Sequence, residues 1–259
     1  MNFQILWPLP FVFLQCFTSV VLLNIRPSLA IIKSDPERYR GCLLSFRCGQ
    51  ISIGYPFWGD DRPQSCGHPD LGLSCDDTNP MLTNPMPTIV FNETNYYAID
   101  TDKESHVLKV VRQDLHDSGI CNPFLLGTNG IGTPGGIDSE LFQYVNGYQN
   151  LTILYDCPFS ATHLGYLNCS QGFSNAFIQT GDFYGSQECN YSATVTVANN
   201  TTLVADTNML ALQETVSEGF QLKWDLSSKA CEDCRNSNGS CGYDKQFVCY
   251  CPNLPYYLS

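Results

Sequence analysis

Basic side chains are scarce in this 259-residue chain, and over one long stretch they are absent. Lys and Arg number 13 against 25 Asp and Glu, giving a formal net charge of −12, and neither occurs between Arg112 and Lys223. An acidic chain of this kind is no partner for nucleic acid or an anionic membrane, both of which call for clustered cations. Catalytic signatures are missing as well. There is no Gly-x-Ser-x-Gly elbow, no His-Glu-x-x-His, and no set of Gly-rich ATP loop, His-Arg-Asp and Asp-Phe-Gly. His68, His106, His116 and His163 lie in unrelated contexts, none beside an obvious nucleophile. Internal repeats and low-complexity tracts are lacking too.

The first 25 residues contain no charged side chain, and residues 6–23 form an apolar run broken by Pro8, Pro10 and Gln15. A membrane-spanning helix needs roughly 20 unbroken apolar residues. The segment instead reads as a secretory leader, residues 1–30, cleaved after the small-residue stretch Ser28-Leu29-Ala30. No second long apolar run follows. The expectation is a secreted, extracellular product with no membrane span after cleavage.

Cysteine fits that compartment, since disulfides persist in oxidising surroundings. Cys16 leaves with the leader, so thirteen remain: Cys42, Cys48, Cys66, Cys75, Cys121, Cys157, Cys169, Cys189, Cys231, Cys234, Cys241, Cys249 and Cys251. The number is odd. One thiol is free or pairs with another chain, or cleavage falls elsewhere; connectivity stays open. Six bridges are available, each contributing about 2–4 kcal/mol. Asn-x-Ser/Thr acceptors at Asn92, Asn150, Asn168, Asn190, Asn199, Asn200 and Asn238 strengthen the export reading by their density.

The expected fold is mainly β and disulfide-rich: two small cysteine-stapled β modules, with one short helix in the second. The first module covers residues 42–121, with strands near 51–55, 88–91, 96–99 and 107–112, rich in β-branched and aromatic residues. Residues 122–140 form a Gly-rich linker. Its Gly130-x-Gly132-x-x-Gly135 is an accidental dinucleotide fingerprint, since Pro134 lies inside it and no helix follows at once. The second module covers 141–251, with strands near 151–155, 193–197 and 220–226. Asp206 or Thr207 caps a helix that closes near Gly219. Cys231-x-x-Cys234, Cys241 and Cys249-x-Cys251 suit disulfides better than zinc in an exported chain. Cys249 and Cys251 share one side of an extended strand, so a bridge from each is expected to pin that end. Neither metal nor cofactor is expected.

The densest block runs from Cys48 to Cys75. Tyr55, Phe57 and Trp58 flank Pro56, and rigid aromatic faces suit sugar rings. Phe57 reads as core. Lys33, Arg38, Arg40, Arg47 and Arg62 gather around this block, so an anion belongs at this end if one binds, although a solvated basic face explains them equally. Arg47 and Arg62 are candidates for contacts to uronate carboxylates, with Tyr55 and Trp58 as candidate sugar platforms. The pairs Asp60-Asp61 and Asp76-Asp77 read as solvated turns rather than glycosidase carboxylates.

Cys48-Gly49, Tyr55 to Trp58, Arg62-Pro63, Cys66-Gly67-His68-Pro69 and Leu71 to Cys75, followed by residues 108–115 leading to Cys121, resemble the galacturonan-binding domain of plant wall-associated receptor kinases. The leaf-rust-resistance-type receptor-like kinases are the nearest version. Residues 150–157, Gly219 to Trp224 and Cys231 to Cys251 are similar to the wall-associated kinase C-terminal domain. The resemblance implies a plant cell-surface ectodomain that contacts acidic pectic polysaccharide in the cell wall or apoplast. It also implies a stalk, a membrane helix and a Ser/Thr kinase, none of which has a counterpart motif here. The expected function is therefore non-catalytic pectin binding, as a soluble or truncated receptor-kinase relative. The alternative is an ectodomain that recognises a peptide or a partner receptor kinase, with no sugar ligand.

Overall fold

The computed structural model describes residues 31–75, 85–121, 137, 140–145, 147–157, 165–167, 169, 176–181, 189–198, 209–226 and 228–252. The leader, Asp76-Asp77, the Gly130–Gly135 motif, His163, the acceptors Asn168, Asn199 and Asn200, and the capping pair Asp206 and Thr207 lie outside the described residues.

In chain order, strand β1 (Ile31–Ser34) leads into helix α1 (Pro36–Leu43), then β2 (Phe46–Cys48) and β3 (Ile51–Ile53). A 3-10 turn at Gln64–Cys66 precedes β4 (Leu73–Cys75), β5 (Pro87–Phe91), β6 (Thr94–Asp102), β7 (Val107–Arg112) and α2 (Gln113–Ser118). There follow β8 (Phe142–Tyr144), β9 (Tyr148–Tyr155), β10 (Gly165–Leu167), β11 (Ala176–Thr180) and β12 (Tyr191–Ala198). The chain then forms α3 (Met209–Glu218), β13 (Phe220–Trp224), α4 (Ser228–Asn236), β14 (Ser240–Tyr243) and β15 (Phe247–Cys251).

The mainly β, disulfide-rich class is as expected. Local chemistry explains many of the elements. Asp35 caps α1 by accepting from the Arg38 backbone N–H at 3.0 Å, with Pro36 in the first turn. Asn92 and Glu93 both take positive φ and turn β5 into β6 as a two-residue hairpin loop. Along β13 the alternation is strict: Phe220, Leu222 and Trp224 are buried while Lys223 is exposed.

Helices are more numerous than expected. The one anticipated before Gly219 is α3, but α1, α2 and α4 accompany it among the described residues. Helix α4 carries Cys231 and Cys234 three residues apart, so both reach the same side and both are buried.

Six disulfides form: Cys42–Cys66, Cys48–Cys75, Cys121–Cys169, Cys157–Cys189, Cys231–Cys241 and Cys234–Cys249. Cys251 is free. The expected pair of bridges from Cys249 and Cys251 is thus corrected. The two sulfurs of α4 are taken by Cys241 and Cys249, neighbours across the β14–β15 ladder.

The two cysteine-rich stretches are woven together. The largest sheet is antiparallel, in the order β4-β5-β6-β7-β13-β8, so strands of the second stretch extend the sheet begun by the first. Its core unites Phe57, Leu108 and Val110 with Phe142, Leu222 and Trp224, and the Phe57 ring meets Trp224 edge-on at 5.1 Å. A second sheet, β10-β11-β9-β12, packs its apolar face with α3 and with Leu115 and Ile120. A third, β1-β15-β14, lays Val248 and Tyr250 against Cys42 and Cys66. Strand β1 enters it parallel to β15.

Candidate functional site

The aromatic block begins where β3 ends. The Tyr55–Pro56 peptide is cis, and Phe57 turns fully into the core. Trp58 is half-buried. Its indole N–H donates to the His68 carbonyl at 2.7 Å, and its ring lies so close over Gly72 that a Cβ there would sit 2.7 Å from Cζ2. One ring face is therefore committed to backbone.

Arg62 is not the surface cation expected from the sequence. It is 2% exposed, and its guanidinium donates to five backbone carbonyls: Phe57, Cys42, Leu44, Cys66 and Cys241, at 2.9, 2.6, 2.5, 2.7 and 3.3 Å. Five donors meet five acceptors, which leaves none for a ligand. Burial, reinforced by the charge of Arg235, lowers its pKa to about 10, so it stays protonated at neutral pH. Arg62 joins α1, the aromatic block and β14. The correction has a simple physical basis: a planar, always-charged fork can satisfy several converging carbonyls at once, which sequence spacing does not reveal.

The remaining early cations divide. Lys33 pairs with Asp244 at 2.5 Å. Arg38 bonds the Tyr250 hydroxyl at 3.1 Å and lies 3.4 Å from Asp35. Arg40 and Arg47 are exposed, with Arg47 opposite Ser52 on the β2–β3 ladder. Asp60 accepts from the Cys75 backbone N–H at 3.2 Å and serves the turn.

Of the four expected contacts only Tyr55 lines the cleft between the β6–β7 turn and α4, an opening of roughly 360 Å³. Tyr55 is largely buried and meets Phe247 edge-on at 5.6 Å. Facing it are Lys103, Glu104 and His106 from the turn between β6 and β7, Trp224 from the end of β13, and Glu232 and Arg235 from α4. The His106 ring lies 5.6 Å from that of Trp224, and the backbone bond from Trp224 N–H to the His106 carbonyl at 3.0 Å fixes the pair. The Arg235 guanidinium extends over Gly54, its Nη2 3.6 Å from where a Cβ would stand. Among the described residues, neither Lys103 nor Arg235 makes an ion pair within 4.0 Å. No group of three or more His, Cys, Asp or Glu that could hold a metal ion occurs among the described residues. The lining offers flat rings, two open cations and two carboxylates, a set suited to a sugar carrying both hydroxyls and an anionic group. Sequence reading missed Lys103, His106, Trp224 and Arg235 because only tertiary folding brings the β6–β7 turn to α4.

Of the glycan acceptors described, Asn92, Asn190 and Asn238 are exposed, while Asn150 is half-buried on β9 and accepts from the Thr196 hydroxyl at 2.9 Å.

Residues 42–112 match a family described as wall-associated receptor kinase galacturonan-binding, and residues 160–254 one described as wall-associated receptor kinase C-terminal. Curated relatives agree. The chain is 29% identical over 231 residues to leaf rust 10 disease-resistance locus receptor-like protein kinase-like 2.3 of Arabidopsis thaliana, covering 89% of this chain and 34% of the relative. It is 26% identical over 236 residues to the 1.3 protein of the same series and organism, covering 91% and 32%. With the 2.2 protein, also from Arabidopsis thaliana, identity is 30% over 207 residues, covering 78% and 30%. The chain thus spans about a third of the length of these relatives. No solved structure matches it. The matched regions are non-catalytic and of extracellular type, and no described helix is long and apolar enough to cross a membrane. With both domains present in order and the relatives aligned across most of its length, the chain belongs to the wall-associated receptor kinase family by its two ectodomain-type domains and is similar to the leaf-rust-10-type receptor-like kinases.

Proposed function

We propose that this ectodomain binds acidic pectic polysaccharide, a galacturonan, at the outer cell surface or in the wall, without catalysing a reaction on it. The observation that carries this reading is the match of residues 42–112 to a galacturonan-binding domain. The chemistry of the surface supports it: exposed Arg47, the partly open ring of Trp58, and the Tyr55-lined cleft with its open cations provide ring faces and charge for a uronate chain. Arg62 takes no part in contact. Calorimetric titration with galacturonan oligosaccharides at low and high salt tests the reading. Saturable binding that weakens with salt is expected, because solvent-exposed charge contacts are screened. Absence of binding at low salt overturns it.

A second reading, in which the partner is a peptide or a receptor kinase, draws on Tyr144, Tyr166 and Tyr191, each at least 40% exposed, in the stretch without Lys or Arg. Capture from wall extract before and after pectinase separates the two: a protein partner survives digestion.

A further inference from the structure

The cleft is built from both family domains. Tyr55, Lys103, Glu104 and His106 fall within the galacturonan-binding match, and Trp224, Glu232 and Arg235 within the C-terminal match. We propose that the uronate-reading site of this ectodomain is this composite cleft, with Lys103 and Arg235 holding a sugar carboxylate from opposite sides, so that the C-terminal domain supplies half of the recognition. The proposal rests on the galacturonan reading above and deepens it.

Three observations converge on it. Lys103 and Arg235 are exposed cations with no ion pair of their own among the described residues, unlike Lys33 and Arg38, which already hold Asp244 and Asp35. They share the cleft lining with Trp224, a nearly buried ring fixed by Phe57 behind it and by His106 beside it. Ser228 belongs to the same lining, and its buried hydroxyl has no hydrogen-bond partner among the described residues. Glu104 and Glu232 complete the selection. They accept from sugar hydroxyls, and they repel a densely charged polyanion that would otherwise satisfy the two cations. A chain with one carboxylate per sugar and free hydroxyls fits; a more densely charged sulfated one does not. Arg235 stands over Gly54, its Nη2 at ordinary van der Waals distance, 3.6 Å, from where a Cβ would be.

The test uses the full mature chain and trigalacturonate. The Lys103→Gln/Arg235→Gln variant is expected to bind about tenfold more weakly, the loss that follows from one to two charge-assisted contacts, with a shallower salt dependence. The Arg40→Gln/Lys245→Gln variant removes the same charge at exposed positions outside the cleft lining and is expected to stay within about twofold of wild type. Asn236→Lys adds a cation to the lining and is expected to tighten binding, a gain that misfolding cannot imitate. Binding by wild type with an unchanged Lys103/Arg235 variant overturns the composite site and leaves the galacturonan reading standing. An equal loss in the Arg40/Lys245 variant instead shows that binding follows overall charge rather than the cleft and overturns the proposal. No binding by wild type overturns both.

Discussion

Arg62 shows how much one side chain can organise. Its five donors tie together carbonyls from α1, the aromatic block, the 3-10 turn and β14. Arg62→Gln leaves most of those carbonyls unpaired, and Arg62→Lys replaces a planar fork with a point charge. Each is expected to destabilise the fold by about 3–5 kcal/mol, read as a lowered unfolding midpoint in guanidinium with disulfides intact. If Arg62→Lys retains wild-type stability, the hub role is wrong. Tyrosine ionisation gives a second residue-scale prediction. Burial raises Tyr96 to about 12 and raises Tyr155 further. A phenol whose folded pKa exceeds its unfolded value near 10 adds stability that is complete below about 10 and is lost as pH rises toward 12. Ultraviolet titration is therefore expected to show a late-ionising tyrosine class whose release coincides with unfolding.

At the scale of elements, α3 ends where it must. Gly219 has a φ of +68°, and a Cβ there would lie 2.2 Å from the Val110 carbonyl oxygen. The residue both closes the helix and lets β13 approach β7. Gly219→Ala is expected to cost about 2 kcal/mol or more through strain and displaced sheet pairing, measurable by chemical denaturation. The Cys121–Cys169 bridge works between elements, tying the end of α2 to the β9–β12 sheet across 48 residues. Replacing both cysteines with serine is expected to lower stability by about 4 kcal/mol in the chain-entropy account. A loss much smaller than that would show that the α2–α3 packing already orders this connection.

For the whole molecule, the weaving of strands matters most. The galacturonan-binding match ends at residue 112, yet β7 within it is paired by β13, and Phe57 is covered by Trp224. A fragment limited to residues 31–121 would expose the β7 edge and half of its core. It is expected to lack dispersed amide signals in NMR, while residues 31–252 give a folded spectrum. A well-dispersed short fragment would overturn this view of the two domains as one folding unit.

The sequence by itself determined the β-rich class, the alternation of β13, the helix closing at Gly219 and an odd count of cysteines beyond residue 30, because each depends on composition or on neighbours along the chain. It also carried the family resemblance that the comparisons show. Tertiary structure alone decided which cysteine is free, that Arg62 is buried rather than presented, and that Lys103, His106, Trp224 and Arg235 share a cleft. Those outcomes depend on contacts between segments far apart in sequence, where desolvation and the geometry of strand pairing, not local propensity, select the arrangement.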